Sequence, residues 1–218
     1  MTRSSSLPRD VNALRGRVRD LSRRCHAGGR TSFAAFEELA SMLLHTTVLH
    51  PSGVVRLNYP NTGREEAALG GLAGPKDPVP LNDGRLLRIA NTLFLDRNDA
   101  RGHLLKVDRS TYQYQLDPKG DDWIFRYDYL RKPERAHPPS HLQLRADLLA
   151  SGVLPPSDTL ERVHFPTGRM ALEGVIRLLI EQFGVPCNEP PRVWRPVLAE
   201  AEIAFLTIAR RPLSGPAG

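Results

Sequence analysis

The sequence predicts an α+β fold: an antiparallel sheet of about five or six strands with C-terminal helices packed on one face, preceded by an N-terminal helical hairpin. Three observations carry that reading. Apolar residues recur at helical spacing over residues 11–44, the period changes to two beyond residue 85, and helical spacing returns after Gly168.

Taken in order, Val11, Leu14, Val18, Leu21 and Cys25 share one helical face, and Gly28-Gly29 supplies a stop. A second helix follows, with Ser32 as its expected cap, Phe33, Phe36, Leu39, Leu43 and Leu44 as its stripe, and Pro51 just past its end. Long helices joined by Gly-Gly-Arg favour packing or partner binding over a DNA-reading helix-turn-helix. Residues 1–59 are assigned to this hairpin and its basic arm. Residues 60–84, PNTGREEAALGGLAGPKDPVPLNDG, concentrate Gly, Pro and Asn with little periodicity and are expected to form a linker or long loop.

The sheet domain is assigned to residues 85–211. Short runs near Leu87–Leu95, His103–Val107, Thr111–Leu116, Trp123–Leu130, His141–Ala146 and Leu160–Phe165 are separated by turn residues, as in an antiparallel sheet. An amphipathic helix then places Leu172, Val175, Ile176, Leu179 and Phe183 on one face and ends at Gly184 and Pro186. A last helix is expected from Pro196 to Arg210, and residues 212–218 are expected to fray.

With 218 residues, 40% hydrophobic and 25% charged, the chain belongs with globular proteins. No apolar run approaches the roughly 20 residues that cross a bilayer, and the first ten residues lack the apolar segment of a secretory signal, so no membrane association and a cytoplasmic location are expected. Two distant cysteines, Cys25 and Cys187, indicate neither a disulfide framework nor a cysteine-rich zinc site and read as small buried apolar residues. The net charge of +6 is concentrated: residues 1–30 hold eight arginines against Asp10 and Asp20, and the rest balances. A basic arm on a neutral body suits nucleic acid or an acidic protein partner, and a solvated arginine-rich helix face has the same composition.

Alternation sorts each strand into two faces. Trp123, Phe125, Tyr127 and Tyr129 are expected on one face, and Ile124, Arg126 and Asp128 on the other. Leu142, Leu144 and Ala146 oppose His141, Gln143 and Arg145, while Arg162 and His164 oppose Glu161, Val163 and Phe165. If the apolar sets meet the helices, the other face gathers Arg126, Asp128, His141, Gln143, Arg145, Arg162 and His164. That set could be the solvated side of a sheet. It also holds the residue types of a metal-free ribonuclease: a neutral imidazole to take a ribose 2′-OH proton, a protonated one for the leaving oxygen, and arginines for the phosphate.

Pro138-Pro139 force the chain between His137 and His141 toward an extended path that separates the two by about 13 Å, so no metal site is assigned and no cofactor is called for. Pro166-Thr167-Gly168-Arg169 leads into a helix whose free N–H groups favour an anion, with Arg169 beside it. Tyr112 and Tyr114 read as core or rim residues.

Tyr112-Gln113-Tyr114, the turn through Gly120, Ile124-Phe125-Arg126-Tyr127-Asp128 and the Pro/His-rich loop after them resemble the core of the TumE-like family, small toxins of toxin–antitoxin pairs. The strand ending in His164 and the helix opening near Arg169 fit the same layout. The resemblance spans about residues 90–185. It implies a small α+β protein that is encoded with an antitoxin and inhibits growth through RNA. The chain is longer than that pattern, and its His137 and His141 are spaced by Pro138-Pro139-Ser140 rather than densely clustered. The expected function is toxin-like action on RNA as a metal-independent ribonuclease, with His141 and His164 as acid and base, Asp128 orienting Arg126 or a histidine, and Arg126, Arg145, Arg162, Arg169 and Gln143 holding substrate. The alternative is a non-catalytic nucleic-acid- or protein-binding module.

Overall fold

Asp10 opens the first helix, α1 (Val11–Cys25), where its carboxylate accepts the Asn12 N–H at 2.9 Å. Gly28 and Gly29, at φ 86° and 72°, turn the chain into α2 (Arg30–Thr46), a geometry that a residue with a Cβ adopts only at a cost. Gly29, not Ser32, holds the cap position. Ser32 lies inside the helix, and its hydroxyl donates to the Arg24 carbonyl at 3.2 Å, tying the end of α1 to the start of α2. A computed structural model describes residues 10–60, 65–96, 104–133, 138–145 and 168–209.

Among the described residues seven antiparallel strands follow: β1 (Arg56–Asn58), β2 (Glu66–Gly70), β3 (Val79–Pro80), β4 (Leu86–Asp96), β5 (Leu104–Gln115), β6 (Trp123–Leu130) and β7 (Ser140–Leu144). They run in the order β1-β2-β4-β5-β6-β7, with β3 paired to the start of β4. The stretch 60–84 is therefore not a linker. Its Ala67 and Leu69 are buried in β2, opposite Leu93 and Asn91 of β4, and the glycines that hide its periodicity allow close backbone contact. A Cβ on Gly71 would collide with the Asp77 backbone, and one on Gly70 with Gly74 and Pro75.

The two runs expected at 103–107 and 111–116 form one long strand, β5. A register shift opposite Thr92/Leu93 breaks the alternation between them, which is why the sequence reads as two pieces. Strands β5 and β6 are joined by a turn in which the Asp117 carboxylate accepts the N–H groups of Lys119, Gly120 and Asp122 at 2.8, 3.0 and 2.6 Å. Those bonds hold the carboxyl below its ordinary pKa.

Helices α3 (Leu172–Glu181) and α4 (Pro191–Ala209) follow. The last helix begins at Pro191, and Pro196 lies inside it, so the start expected at Pro196 falls about one turn late. All four helices contribute to one core with the sheet, which includes Val18, Leu43, Leu44, Ile89, Tyr112, Tyr114, Phe125, Ile176, Leu179, Trp194 and Val197. Tyr112 and Tyr114 are core residues, as read from their spacing. Burial pushes the Cys25 thiol up to about 12 and the partly buried Cys187 thiol up to about 11. Among the described residues no helix is long and apolar enough to cross a membrane.

Candidate functional site

On the sheet face opposite the helical core, register brings residues from three strands into rows, with Gln113 buried among them. Thr111 of β5, Asp128 of β6 and His141 of β7 stand side by side, and Gln113, Arg126 and Gln143 form the adjacent row. The grouping of Arg126, Asp128, His141 and Gln143 read from alternation is thus a physical neighbourhood.

Asp128 is its centre. One carboxylate oxygen accepts the Thr111 hydroxyl at 2.6 Å, and the other accepts the Arg126 Nε–H at 2.8 Å. The His141 Nε2 lies 3.6 Å from that second oxygen, while its Nδ1 is buried without a hydrogen-bond partner. A carboxylate fixed by two donors cannot rotate freely, so it presents a constant negative charge to one edge of the imidazole. At 3.6 Å the Nε2 is outside hydrogen-bond reach of Asp128, so that ring nitrogen is not committed to the carboxylate beside it.

Trp123 joins this face, contrary to the simple alternation. A bulge at Tyr114/Gln115 sets Gln115 opposite Trp123, sends Ile124 into the core, and leaves the Arg126 guanidinium 6.0 Å from the centre of the Trp123 ring. Arg145 sits at the end of the face in an ion pair with Asp122 from the β5–β6 turn. Thr111, Gln113 and Trp123 are members that sequence reasoning missed. Thr111 is visible only once the register places it opposite Asp128, and Trp123 only once the bulge is known.

Arg169 is not part of this face. Its guanidinium lies 4.2 Å from the centre of the Tyr129 ring and 5.2 Å from that of Phe205, on the side of the sheet that the helices cover. Burial holds its pKa below the ordinary arginine value. The physical reason is the parity of β6: Tyr129 follows Phe125 and Tyr127 onto the core side, and Arg169 stacks on it. Arg169 therefore stands apart from the sheet-face arginines with which it was grouped. His164 and Arg162, with the strand expected at Leu160–Phe165, and His137 lie outside the described residues.

The basic N-terminal helix is largely compensated within the chain. Arg15 and Arg19 reach Glu200 of α4 at 2.9 and 3.2 Å, and Arg17 and Arg24 pair with Glu38 of α2. Among the described residues no three His, Cys, Asp or Glu side chains converge as a metal site. No family model, curated protein or solved structure matches the chain.

Proposed function

We propose that the protein is toxin-like and acts on RNA from the sheet face opposite its helical core, with His141 and Asp128 as the acid/base centre and Arg126, Gln143 and Arg145 beside them for the phosphate backbone. In this reading His141 takes the proton of a ribose 2′-OH, the 2′ oxygen bonds to phosphorus as the bond to the 5′ oxygen breaks, and a second acid protonates that leaving oxygen. His164 is the sequence's candidate for the second acid. RNA as substrate goes with a cytoplasmic location, and an antitoxin protein is the partner the reading implies.

The observation that supports it most is the seating of His141 against a carboxylate already anchored by Thr111 and Arg126, because an acid/base group needs a fixed geometry and a counter-charge. The pairing of Arg15, Arg17, Arg19 and Arg24 with Glu38 and Glu200 favours the sheet face over the N-terminal arm as the contact surface.

The test is cleavage of single-stranded RNA by purified full-length protein in excess chelator. Wild type is expected to cleave, and His141→Ala to lose about a hundredfold or more in rate. No cleavage by wild type, or equal rates for both proteins, overturns the assignment.

A further inference from the structure

Beneath the sheet, on the side opposite the proposed RNA face, α1, α2, α4 and the turn before α3 enclose a cavity of about 130 Å³. A site of about 150 Å³ lined only by aliphatic and aromatic carbons stays dry and admits benzene. This one differs because polar atoms line it without partners. The Asn91 side chain is 1% exposed; its amide donates to the Tyr112 hydroxyl at 3.1 Å, and its Oδ1 has no hydrogen-bond partner. Ser22, 8% exposed on α1, presents an Oγ that likewise has none. Such orphaned groups are costly to bury, and a fold retains them where something else completes them.

The remaining polar groups narrow the chemistry. Glu173 is buried on the first turn of α3, and it lies close enough to Tyr112 and Cys25 to influence both. Among the described residues the Tyr112 phenol hydrogen has no acceptor and the Arg169 guanidinium has no carboxylate. Arg169 and Phe205 also line a groove along α3, so they form the wall between that groove and the cavity. The wall therefore carries a cation and an O–H donor that want an anion, and an amide oxygen that wants a donor. The rest is apolar.

We propose that this cavity binds a small apolar carboxylic acid bearing a hydroxyl or amino donor, its carboxylate toward Arg169 and the Tyr112 hydroxyl, its donor on Asn91 Oδ1, and its hydrocarbon part against the apolar wall. The volume restricts the ligand to fewer than about ten heavy atoms, in line with the size of benzene in the comparable cavity. The proposal is independent of the RNA reading, since it rests on the other face of the sheet.

Saturation-transfer NMR and thermal unfolding of the full chain, with three probes of one carbon skeleton, test it. The probes are 2-hydroxyisovalerate, isovalerate without the donor, and 3-methyl-1-butanol without the carboxylate. The hydroxy acid is expected to show transfer and raise Tm, isovalerate to bind about tenfold more weakly for one lost hydrogen bond, and the alcohol to give neither signal. Asn91→Leu should remove the preference for the hydroxy acid, and the milder Ser22→Ala and Arg169→Met provide folded variants if Asn91→Leu does not fold. Loss of the carboxylate preference in Arg169→Met supports the assignment. Equal binding of all three probes, binding unchanged in Asn91→Leu and Arg169→Met, or no binding of any probe to folded wild type overturns it.

Discussion

His141 faces Asp128 across the β6–β7 ladder, its Nε2 3.6 Å from a carboxylate oxygen that already holds the Arg126 Nε–H at 2.8 Å. Two elements of regular structure fix the pair, so its geometry does not depend on a loop. Thr111 is the third anchor, through a 2.6 Å bond to the other oxygen. Thr111→Val removes that bond without changing the side chain's shape. Charge-assisted bonds of this kind contribute about 1.5–3 kcal/mol, so the variant should cleave RNA about tenfold more slowly than wild type at little change in substrate affinity. Steady-state kinetics separate the two: an unchanged kcat would show that Thr111 does not position Asp128.

Glu173 makes stability depend on pH. Burial raises its carboxyl from the ordinary 4.5 to about 7, with Glu202 of α4 adding repulsion and Tyr112 and Cys25 as its titratable neighbours. The folded state keeps the proton between those two values while the unfolded state has released it. Stability from this group is therefore full below about pH 4.5 and is lost as pH rises toward 7, by about 3 kcal/mol in all. Urea unfolding across that range should show the decline, and Glu173→Gln should flatten it. A wild-type profile with no decline would contradict the burial argument.

Glu38 and Glu200 compensate arginines of α1. These pairs are partly exposed, so Glu200→Gln should cost less than about 1 kcal/mol in stability. The double variant Glu38→Gln/Glu200→Gln releases Arg15, Arg17 and Arg19 and leaves Arg24 only its pair with Asp20, so non-specific RNA binding should strengthen with a steeper dependence on salt. Filter binding over a range of salt concentrations measures both. A double variant with the wild-type slope would mean that the released charges do not reach the polyanion.

Asn188 secures the end of α2 from a distant part of the chain. Its amide donates to the carbonyls of His45 and Leu49 at 3.0 and 2.8 Å, its backbone N–H to that of Thr47 at 2.7 Å, and its Oδ1 accepts from Asn82 at 3.1 Å. Helix-end carbonyls have no intrahelical donors, so these bonds take that role. Asn188→Ala should lower stability by about 2 kcal/mol in chemical denaturation, and a loss below about 0.5 kcal/mol would indicate that water replaces it.

The sequence made the scaffold legible where burial alternates cleanly. The run at Leu87–Leu95 was readable because β4 alternates buried and half-buried residues along its length, and the Leu142/His141 split separated the faces of β7. It failed where backbone geometry overrides side-chain pattern. Gly70 and Gly71 mask β2 because they are needed for close approach rather than for a turn, and the bulge at Tyr114/Gln115 moves Trp123 to the other face. Arg169 reads as a phosphate ligand beside a helix start, yet its stacking on Tyr129 depends on a contact that no local spacing encodes. The cavity was wholly invisible, because Ser22, Asn91 and Glu173 come from three separate regions and meet only through packing.

The central claim is that the sheet face cleaves RNA through the ribose 2′-OH, and the chemical form of the cut end tests it most directly. Phosphorus NMR of a defined single-stranded RNA treated with wild-type protein in chelator should show a 2′,3′-cyclic phosphate. The same strand with 2′-O-methyl groups should stay intact. A 5′-phosphate product, or cleavage of the 2′-O-methyl strand, would contradict the account.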